Sequence, residues 1–365
     1  MLDALEFAKF LKEYIGIYAG VPDSSLKSLN LALREVMEDD NFYTTANEGQ
    51  AIAFAGAYHL ATSKIGVVYM QNSGLGNAIN PLLSFVDKKV YQIPLIMLIG
   101  MRGGENDEPQ HRKQGFVTKS ILEVCEIPYI VLSRDMENAK KQFVEVFDNV
   151  KRNLSIIAIL IERDAFNPFQ LTHKIRENKF SLKREKAISI VQDYFLEAKF
   201  IGSTGMISRE LYDLREYKKM RHSNDFLVVG SMGFASSIAY ILSKYSSNQI
   251  VCLDGDGSFL MHMGCLSNFK GVAFVHIVLN NFAHDSVGGQ ETNANNIDFL
   301  KIAKGCGYQK AYKVSTEKEL KELLANINYL RELIFIEIDV AKGARKDLGR
   351  PKNIIKLKEE FCRGF

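Results

Sequence analysis

Short apolar runs alternate with longer amphipathic stretches from one end of the chain to the other. The runs with strand character are Tyr14–Tyr18, Gly66–Met70, Pro94–Ile99 and Ile156–Ile161 in the first half. In the second half they are Lys199–Ser203, Phe226–Val229, Ile250–Leu253, Val275–Leu279 and Leu333–Val340. Between them lie helical patterns such as Gln50–Thr62, Asp135–Lys151 and Thr316–Tyr329. A strand that is apolar at every position is buried on both faces, which happens when helices cover both sides of a parallel sheet. The pattern therefore predicts an α/β protein.

One stretch breaks the rhythm. His173–Lys186 carries six basic and two acidic residues and no apolar strand, so it reads as a solvated linker rather than a nucleic-acid patch. The expected division is a domain over 1–170, a linker over 171–188 and a second domain over 189–365. The halves share the same coarse rhythm and are candidates for two versions of one fold.

Composition narrows the classes of function. With 365 residues, 47% hydrophobic and 24% charged, each half can bury a core of ordinary size. A net charge of +3 is too small to imply binding to nucleic acid or to a membrane surface. The five cysteines are widely spaced and form no C-x-x-C pair, so neither a disulfide framework nor a zinc site is suggested. Asp3, Glu6, Lys9, Lys12 and Glu13 interrupt any leader-like apolar core, and no apolar stretch approaches the roughly 20 residues of a membrane span. A cytoplasmic protein is expected.

The chemistry begins in the second half. Gly255-Asp256-Gly257-Ser258 follows the strand Ile250–Leu253, at the carboxyl edge where open parallel sheets bind ligands. Asn281 follows Asp256 by 25 residues, room for a helix and the next strand, Val275–Leu279. Two strand ends thus bring a carboxylate and an amide oxygen together. With the carbonyl of Ala283 they give three oxygen ligands for Mg²⁺, leaving places for two diphosphate oxygens and a water. A dinucleotide-binding reading fits less well, because Gly230–Ala235 lacks the G-x-G-x-x-G spacing.

This segment resembles the thiamine-diphosphate motif, in which Gly-Asp-Gly is followed some two dozen residues later by Asn-Asn. The resemblance implies that Asp256, Asn281 and the Ala283 carbonyl hold Mg²⁺. It also implies that Gly255, Gly257 and Ser258 lie against the diphosphate, with His284 nearby. Gly230-Ser231-Met232-Gly233 is similar to the family segment whose bulky apolar residue wedges beneath the cofactor, which points to Met232. Ser203-Thr204-Gly205 is similar to the segment whose backbone meets the aminopyrimidine.

Thiamine chemistry also needs a carboxylic acid against the far ring nitrogen of the aminopyrimidine, so that the cofactor can remove its own thiazolium proton. An apolar site suits that acid, since it keeps the proton on. Asn47-Glu48-Gly49, ahead of the small-residue stretch Ala51–Gly56, resembles the family's glutamate segment and nominates Glu48. Two loops follow strand ends in this half, Gln71–Asn77 and Arg102–Gly115. His111 in the second is the candidate for proton transfer. The resemblance further implies an N-terminal pyrimidine-binding and a C-terminal diphosphate-binding domain, each a parallel sheet flanked by helices, with no central third domain. It implies at least a dimer, with active sites between subunits.

The whole chain from Gly20 onward resembles the phosphonopyruvate decarboxylases of this family, in Gly20–Ser25, Asn47–Gly49, Met70–Pro81, Asp107–Gly115, Thr204–Leu211, Asn280–Gln290 and Lys346–Pro351. Several of these go beyond cofactor binding, notably His284–Gln290 and Asp347–Pro351. The implied reaction converts 3-phosphonopyruvate to phosphonoacetaldehyde and CO₂, as in the biosynthesis of 2-aminoethylphosphonate and other phosphonates. The implied substrate contacts are Asp23, Arg102, Gln110, His111, Lys113, Asp285, Ser286 and Arg350. The pattern departs from the family at Phe282, where glycine is usual, at Met206, where lysine is usual, and in Arg102-Gly-Gly-Glu105. Decarboxylation or carboligation of sulfopyruvate or another 2-oxo acid is the alternative, and a catalytically silent thiamine-binding subunit is a third reading.

Overall fold

The computed structural model describes residues 1–105, 107–172, 178–329 and 332–364. The chain forms two compact units, Met1–Ile175 and Arg176–Phe365. Residues 173–177 of the expected linker lie outside the described residues.

The first unit is built on β1 (Tyr18–Gly20), β2 (Phe42–Thr44), β3 (Gly66–Gln71), β4 (Leu95–Gly100), β5 (Tyr129–Val131) and β6 (Ile156–Ile161). All pair in parallel, in the order β2-β1-β3-β4-β6-β5. Successive side chains point to opposite faces of a strand, so a fully apolar strand feeds two cores. Val67, Tyr69, Ile96, Leu98, Ile157 and Ile159 pack on one side. Val68, Met70, Leu95, Met97, Ala158 and Leu160 pack on the other.

The second unit contains β7 (Lys199–Gly202), β8 (Asp225–Leu227), β9 (Ile250–Gly255), β10 (Phe274–Asn280), a short antiparallel ribbon of β11 (Ala283–His284) and β12 (Gln290–Glu291), then β13 (Lys310–Val314) and β14 (Leu333–Asp339). The six long strands form a parallel sheet ordered β13-β14-β10-β9-β7-β8. Read from its other edge, and with the ribbon set aside, this is the second, first, third, fourth, sixth and fifth strand, the order of the first sheet. The two units share one topology. In each, the connections reverse direction between the first and third strands, and that switch point opens a crevice at the strand ends.

The observed strands differ from the expected ones at the edges. β2, β5 and β13 were not foreseen, because an edge strand is partly exposed and mixes polar residues into its sequence. The expected first strand, Tyr14–Tyr18, shifts to Tyr18–Gly20. Tyr14 and Ile15 instead close the turn after the helix Ala4–Lys12, both donating to the Leu11 carbonyl. The stretch expected to be a solvated linker is helical from Arg184, and that arginine is buried. No helix among the described residues is long and apolar enough to cross a membrane.

The cysteines are free thiols. Cys252 lies close to Asp254 and His276 in the buried layer beneath Gly255. Burial pushes its thiol well above the usual range, as befits a core cysteine.

Candidate active site

In the first unit the helix Glu48–Thr62 begins at the switch point. The Asn47 side chain caps it by accepting from the Gln50 amide at 2.9 Å, and Gln50 Oε1 accepts in return from the Ala46 amide at 2.8 Å. Glu48 therefore occupies the first turn, with its side chain buried. Asn77 donates to Glu48 Oε2 at 2.8 Å. Burial raises the Glu48 carboxyl above its ordinary value, partly opposed by the Asn77 hydrogen bond. The site favours the neutral acid, which can donate a hydrogen bond to a ring nitrogen. Neither Gly74 nor Asn77 was singled out from the sequence. The clustering of Gly and Asn in the loop after β3 was the available signal.

Asp23 sits at the same set of strand ends, fully buried. Its carboxylate accepts from the amides of Ser25 and Leu26 and from the Gln71 side chain. Both oxygens are thus engaged within the chain. Burial raises this carboxyl too, against the hydrogen bond from Gln71.

The loop after β4 forms an ionic cluster. Arg102 makes a fork with Asp107, with Nε 3.0 Å from Oδ2 and Nη2 2.6 Å from Oδ1. It also reaches Glu108 Oε1 at 3.1 Å and Ser24 Oγ at 3.0 Å. The hydrogen bond from Arg102 holds the Asp107 carboxyl down at about 2. The Arg102 fork, read as a partner for a substrate dianion, faces two carboxylates of its own chain. His111, in the first turn of the helix Pro109–Val124, has Nε2 3.1 Å from Glu108 Oε2. Its Nδ1 is buried and meets no partner among the described residues. Burial, then the charge of Arg102, lowers the imidazole below its ordinary value. Gln110 also bonds Glu108, at 3.1 Å, while Lys113 is exposed with Nζ 5.4 Å from the Phe116 ring centre.

In the second unit β9 delivers Gly255 to the strand end, and Asp256 opens the short helix Asp256–Met261. Burial pushes the Asp256 carboxyl up to about 7, although the Thr292 hydroxyl donates to its Oδ2. Next door, β10 ends at Asn280, and Asn281 lies just beyond it. Asn281 Oδ1 accepts from the Ala283 amide at 3.1 Å, and its Nδ2 donates to Asp285 at 2.6 Å. Ala283 and Asn281 are both buried. A Cβ on Gly257 would lie 2.7 Å from His284 Cε1, so only glycine lets the chain pass that ring. Burial pushes His284 down to about 4, which keeps the ring neutral.

The remaining segments line the strand ends of the same unit. Ser203, after β7, is buried, and its hydroxyl lacks a partner among the described residues. The Thr204 hydroxyl donates to the Val229 carbonyl at 2.9 Å, and Gly205 takes φ +91° before the next helix. Ser231 adopts φ +49° in the turn that carries half-buried Met232, and the amide of Gly233 donates to Ser258 Oγ at 3.0 Å. Phe282, where the sequence departs from the usual glycine, does adopt a left-handed backbone, φ +61°. Ser286 and Arg350 are exposed. Arg350 follows a segment pinned to the helix Met206–Tyr217, where Arg209 donates to the carbonyls of Leu348 and Gly349 and Asp213 accepts from the Gly349 amide.

Comparison with known proteins bears on both units. A profile described as "Thiamine pyrophosphate enzyme, N-terminal TPP binding domain" matches residues 6–121. One described as "Thiamine pyrophosphate enzyme, C-terminal TPP binding domain" matches residues 201–338. The phosphonopyruvate decarboxylase of Streptomyces viridochromogenes is 29% identical over 357 residues, covering 92% of this chain and 87% of that protein. The sulfopyruvate decarboxylase of Methanosarcina acetivorans is 27% identical over 353 residues, covering 90% of this chain and 88% of that protein. Sulfopyruvate decarboxylase subunit alpha of Methanothermobacter thermautotrophicus is 32% identical over 159 residues, covering 40% of this chain and 93% of that protein. The chain belongs to the thiamine diphosphate-dependent decarboxylases.

For a decarboxylase of this family, the donor set can be tested against the cofactor's metal. Asp256, Asn281 and the Ala283 carbonyl offer only oxygen, the preference of Mg²⁺. Burial is what drives the Asp256 carboxyl up to about 7, and a divalent cation beside it would offset that penalty and favour the ionised form. The unpartnered Ser203 hydroxyl also suits a polar ligand at the strand ends. The residues fit the group.

Proposed function

We propose that the chain decarboxylates 3-phosphonopyruvate to phosphonoacetaldehyde and CO₂, with thiamine diphosphate held through Mg²⁺, in a homo-oligomer of at least two subunits. The supporting observation for the substrate is the likeness to a phosphonopyruvate decarboxylase over 92% of the chain. The likeness to a sulfopyruvate decarboxylase over 90% of the chain supports sulfopyruvate as the second reading.

Bound thiamine diphosphate supplies a thiazolium that takes up the electron pair left when the substrate carboxyl departs as CO₂. The chain's own residues do the rest. Asp256, Asn281 and the Ala283 carbonyl hold the metal, and the backbone around Gly257 and Ser258 approaches the diphosphate closely. Glu48, whose carboxyl burial shifts toward the neutral form, would donate a hydrogen bond to the pyrimidine ring nitrogen. His111 keeps its Nε2 proton toward Glu108 and offers Nδ1 to exchange a proton with the substrate. For Arg102 to bind the phosphonate, the dianion must displace Asp107 or Glu108 from its fork.

The test is to incubate the protein with thiamine diphosphate and Mg²⁺ and, in parallel, phosphonopyruvate, sulfopyruvate or pyruvate, following CO₂ and aldehyde. The expected outcome is the highest kcat/KM with phosphonopyruvate. A higher value with sulfopyruvate transfers the reading to that acid, and no turnover of any of the three overturns it.

A further inference from the structure

The stretch between the two sheets was read from its charge as a solvated linker, yet three of its residues, Asn178, Phe180 and Arg184, contact the Asn281–Asp285 loop. Asn178 Nδ2 donates to the Asn281 carbonyl at 3.2 Å and to the Val340 carbonyl at 2.8 Å. The Phe180 ring stacks on Phe282, with centres 6.0 Å apart and planes 18° apart. Arg184 then reaches Asp285, Nη1 to Oδ2, at 2.9 Å.

The Arg184 contact is the most constrained. Its guanidinium is only 5% exposed and also forks onto buried Glu210, with Nε 2.8 Å from Oε2 and Nη2 3.0 Å from Oε1. Asp285 Oδ2 accepts three donors at once: Arg184, the Gly343 amide at 2.9 Å and Asn281 Nδ2 at 2.6 Å. An asparagine side chain presents an oxygen at one end and an NH₂ at the other, and a hard cation accepts only the oxygen. With its NH₂ held by a carboxylate, Asn281 cannot flip without setting oxygen against oxygen. Its Oδ1 is thereby fixed on the side of Ala283, where it accepts from that residue's amide.

We infer that Arg184 is a positioning residue for Asn281. Bridging Glu210 and Asp285, it fixes the Asp285 carboxylate that orients the Asn281 amide oxygen toward the metal. The inference rests on the reading of Asn281 as a Mg²⁺ ligand. Partners one shell out from a ligand typically change metal affinity by about 10- to 100-fold when removed.

The experiment is a calorimetric titration of Mg²⁺ into the full chain with thiamine diphosphate present, paired with thermal melting in the absence of both. It uses Arg184→Gln, Arg184→Lys, Asp285→Asn, the double variant Arg184→Gln/Asp285→Asn, and Asp256→Ala. Asp285→Asn leaves the Arg184–Glu210 pair intact and so keeps the fold testable. Mg²⁺ affinity should fall about tenfold or more in Arg184→Gln and in Asp285→Asn, and less in Arg184→Lys, which keeps the charge. The double variant should lose no more than the worse single one, because both act through the same amide. Wild-type Mg²⁺ affinity in Arg184→Gln and Asp285→Asn, whatever the metal-free melting temperature does, overturns the inference while Asp256→Ala still loses Mg²⁺. Wild-type affinity in Asp256→Ala itself overturns the metal-site reading underneath it.

Discussion

A Cβ built on Gly74 would lie 2.1 Å from Glu48 Oε1 and 2.5 Å from its Cδ, so the buried carboxyl occupies the space a side chain at 74 would fill. Gly74 has an ordinary φ of −75°, so its role is room rather than backbone freedom. Gly74→Ala should therefore fold normally while pushing Glu48 aside by about an ångström, a misplacement worth on the order of 10²-fold in rate. Steady-state kinetics beside Glu48→Gln would check this, with both variants retaining Mg²⁺-dependent cofactor binding. A wild-type kcat in Gly74→Ala would mean that the carboxyl's position is not critical.

The two sheets were legible in the sequence because their inner strands are apolar or nearly so on both faces, wholly at Ile156–Ile161 and apart from His276 at Val275–Leu279. The places of Asp256, Asn281 and Glu48 at strand and helix ends were legible because each stands in a short motif that follows or opens an element. Pairing across space was not legible. Nothing local to Arg184 tells that its charge is buried against Glu210 and Asp285, residues 26 and 101 positions away. Thr292 was missed for the same reason, since it meets Asp256 only after β11 and β12 fold back into a ribbon. Arg102 was read as an available cation, because a sequence does not show that Asp107 and Glu108 turn back onto it.

Asp256 predicts a pH dependence for metal binding. Its folded carboxyl titrates near 7 and its unfolded value is 3.8, so the metal-free fold favours the neutral acid. The shift thus costs stability as pH rises above 3.8, with the full cost reached above about 7 and none of it present below 3.8. Mg²⁺ binds the ionised form, so binding between these values must release a proton. Apparent Mg²⁺ affinity, measured with thiamine diphosphate present, should fall by roughly tenfold per pH unit below about 7 and level off above it. Calorimetry at pH 6 in buffers of different ionisation heat should detect the proton; its absence would remove Asp256 from the metal's ligands.

His111 predicts the acid limb of the rate profile. Burial and the Arg102 charge depress its folded value, so the neutral ring persists as pH falls through 6.5 and is lost only further down. The acid limb of kcat/KM should lie below pH 6.5 and disappear in His111→Gln, with a loss of roughly 10²- to 10⁴-fold in rate. The charge of Asp107 acts in the opposite direction, raising His111. Asp107→Asn should consequently move the limb to still lower pH; movement to higher pH would show that another group titrates.

Phe282 carries a side chain in a backbone region that suits glycine, φ +61°, between two proposed metal ligands. Its amide donates to Asn280 Oδ1 at 3.1 Å, and its carbonyl accepts from the Thr292 amide at 3.2 Å, which locks the conformation from both sides. A left-handed residue other than glycine costs about 1–2 kcal/mol, and an aromatic pair such as that with Phe180 returns about 0.5–1.5 kcal/mol. Phe282→Gly removes the stack and the strain together, whereas Phe282→Ala removes the stack and keeps the strain. Phe282→Ala should therefore be the less stable of the two by about 1 kcal/mol, the reverse of the order in a helix interior. Urea denaturation of both variants would measure the difference. Equal stabilities would mean that the loop relaxes out of the left-handed region once the ring is gone, and that Phe180 rather than the hydrogen bonds holds Phe282 in place.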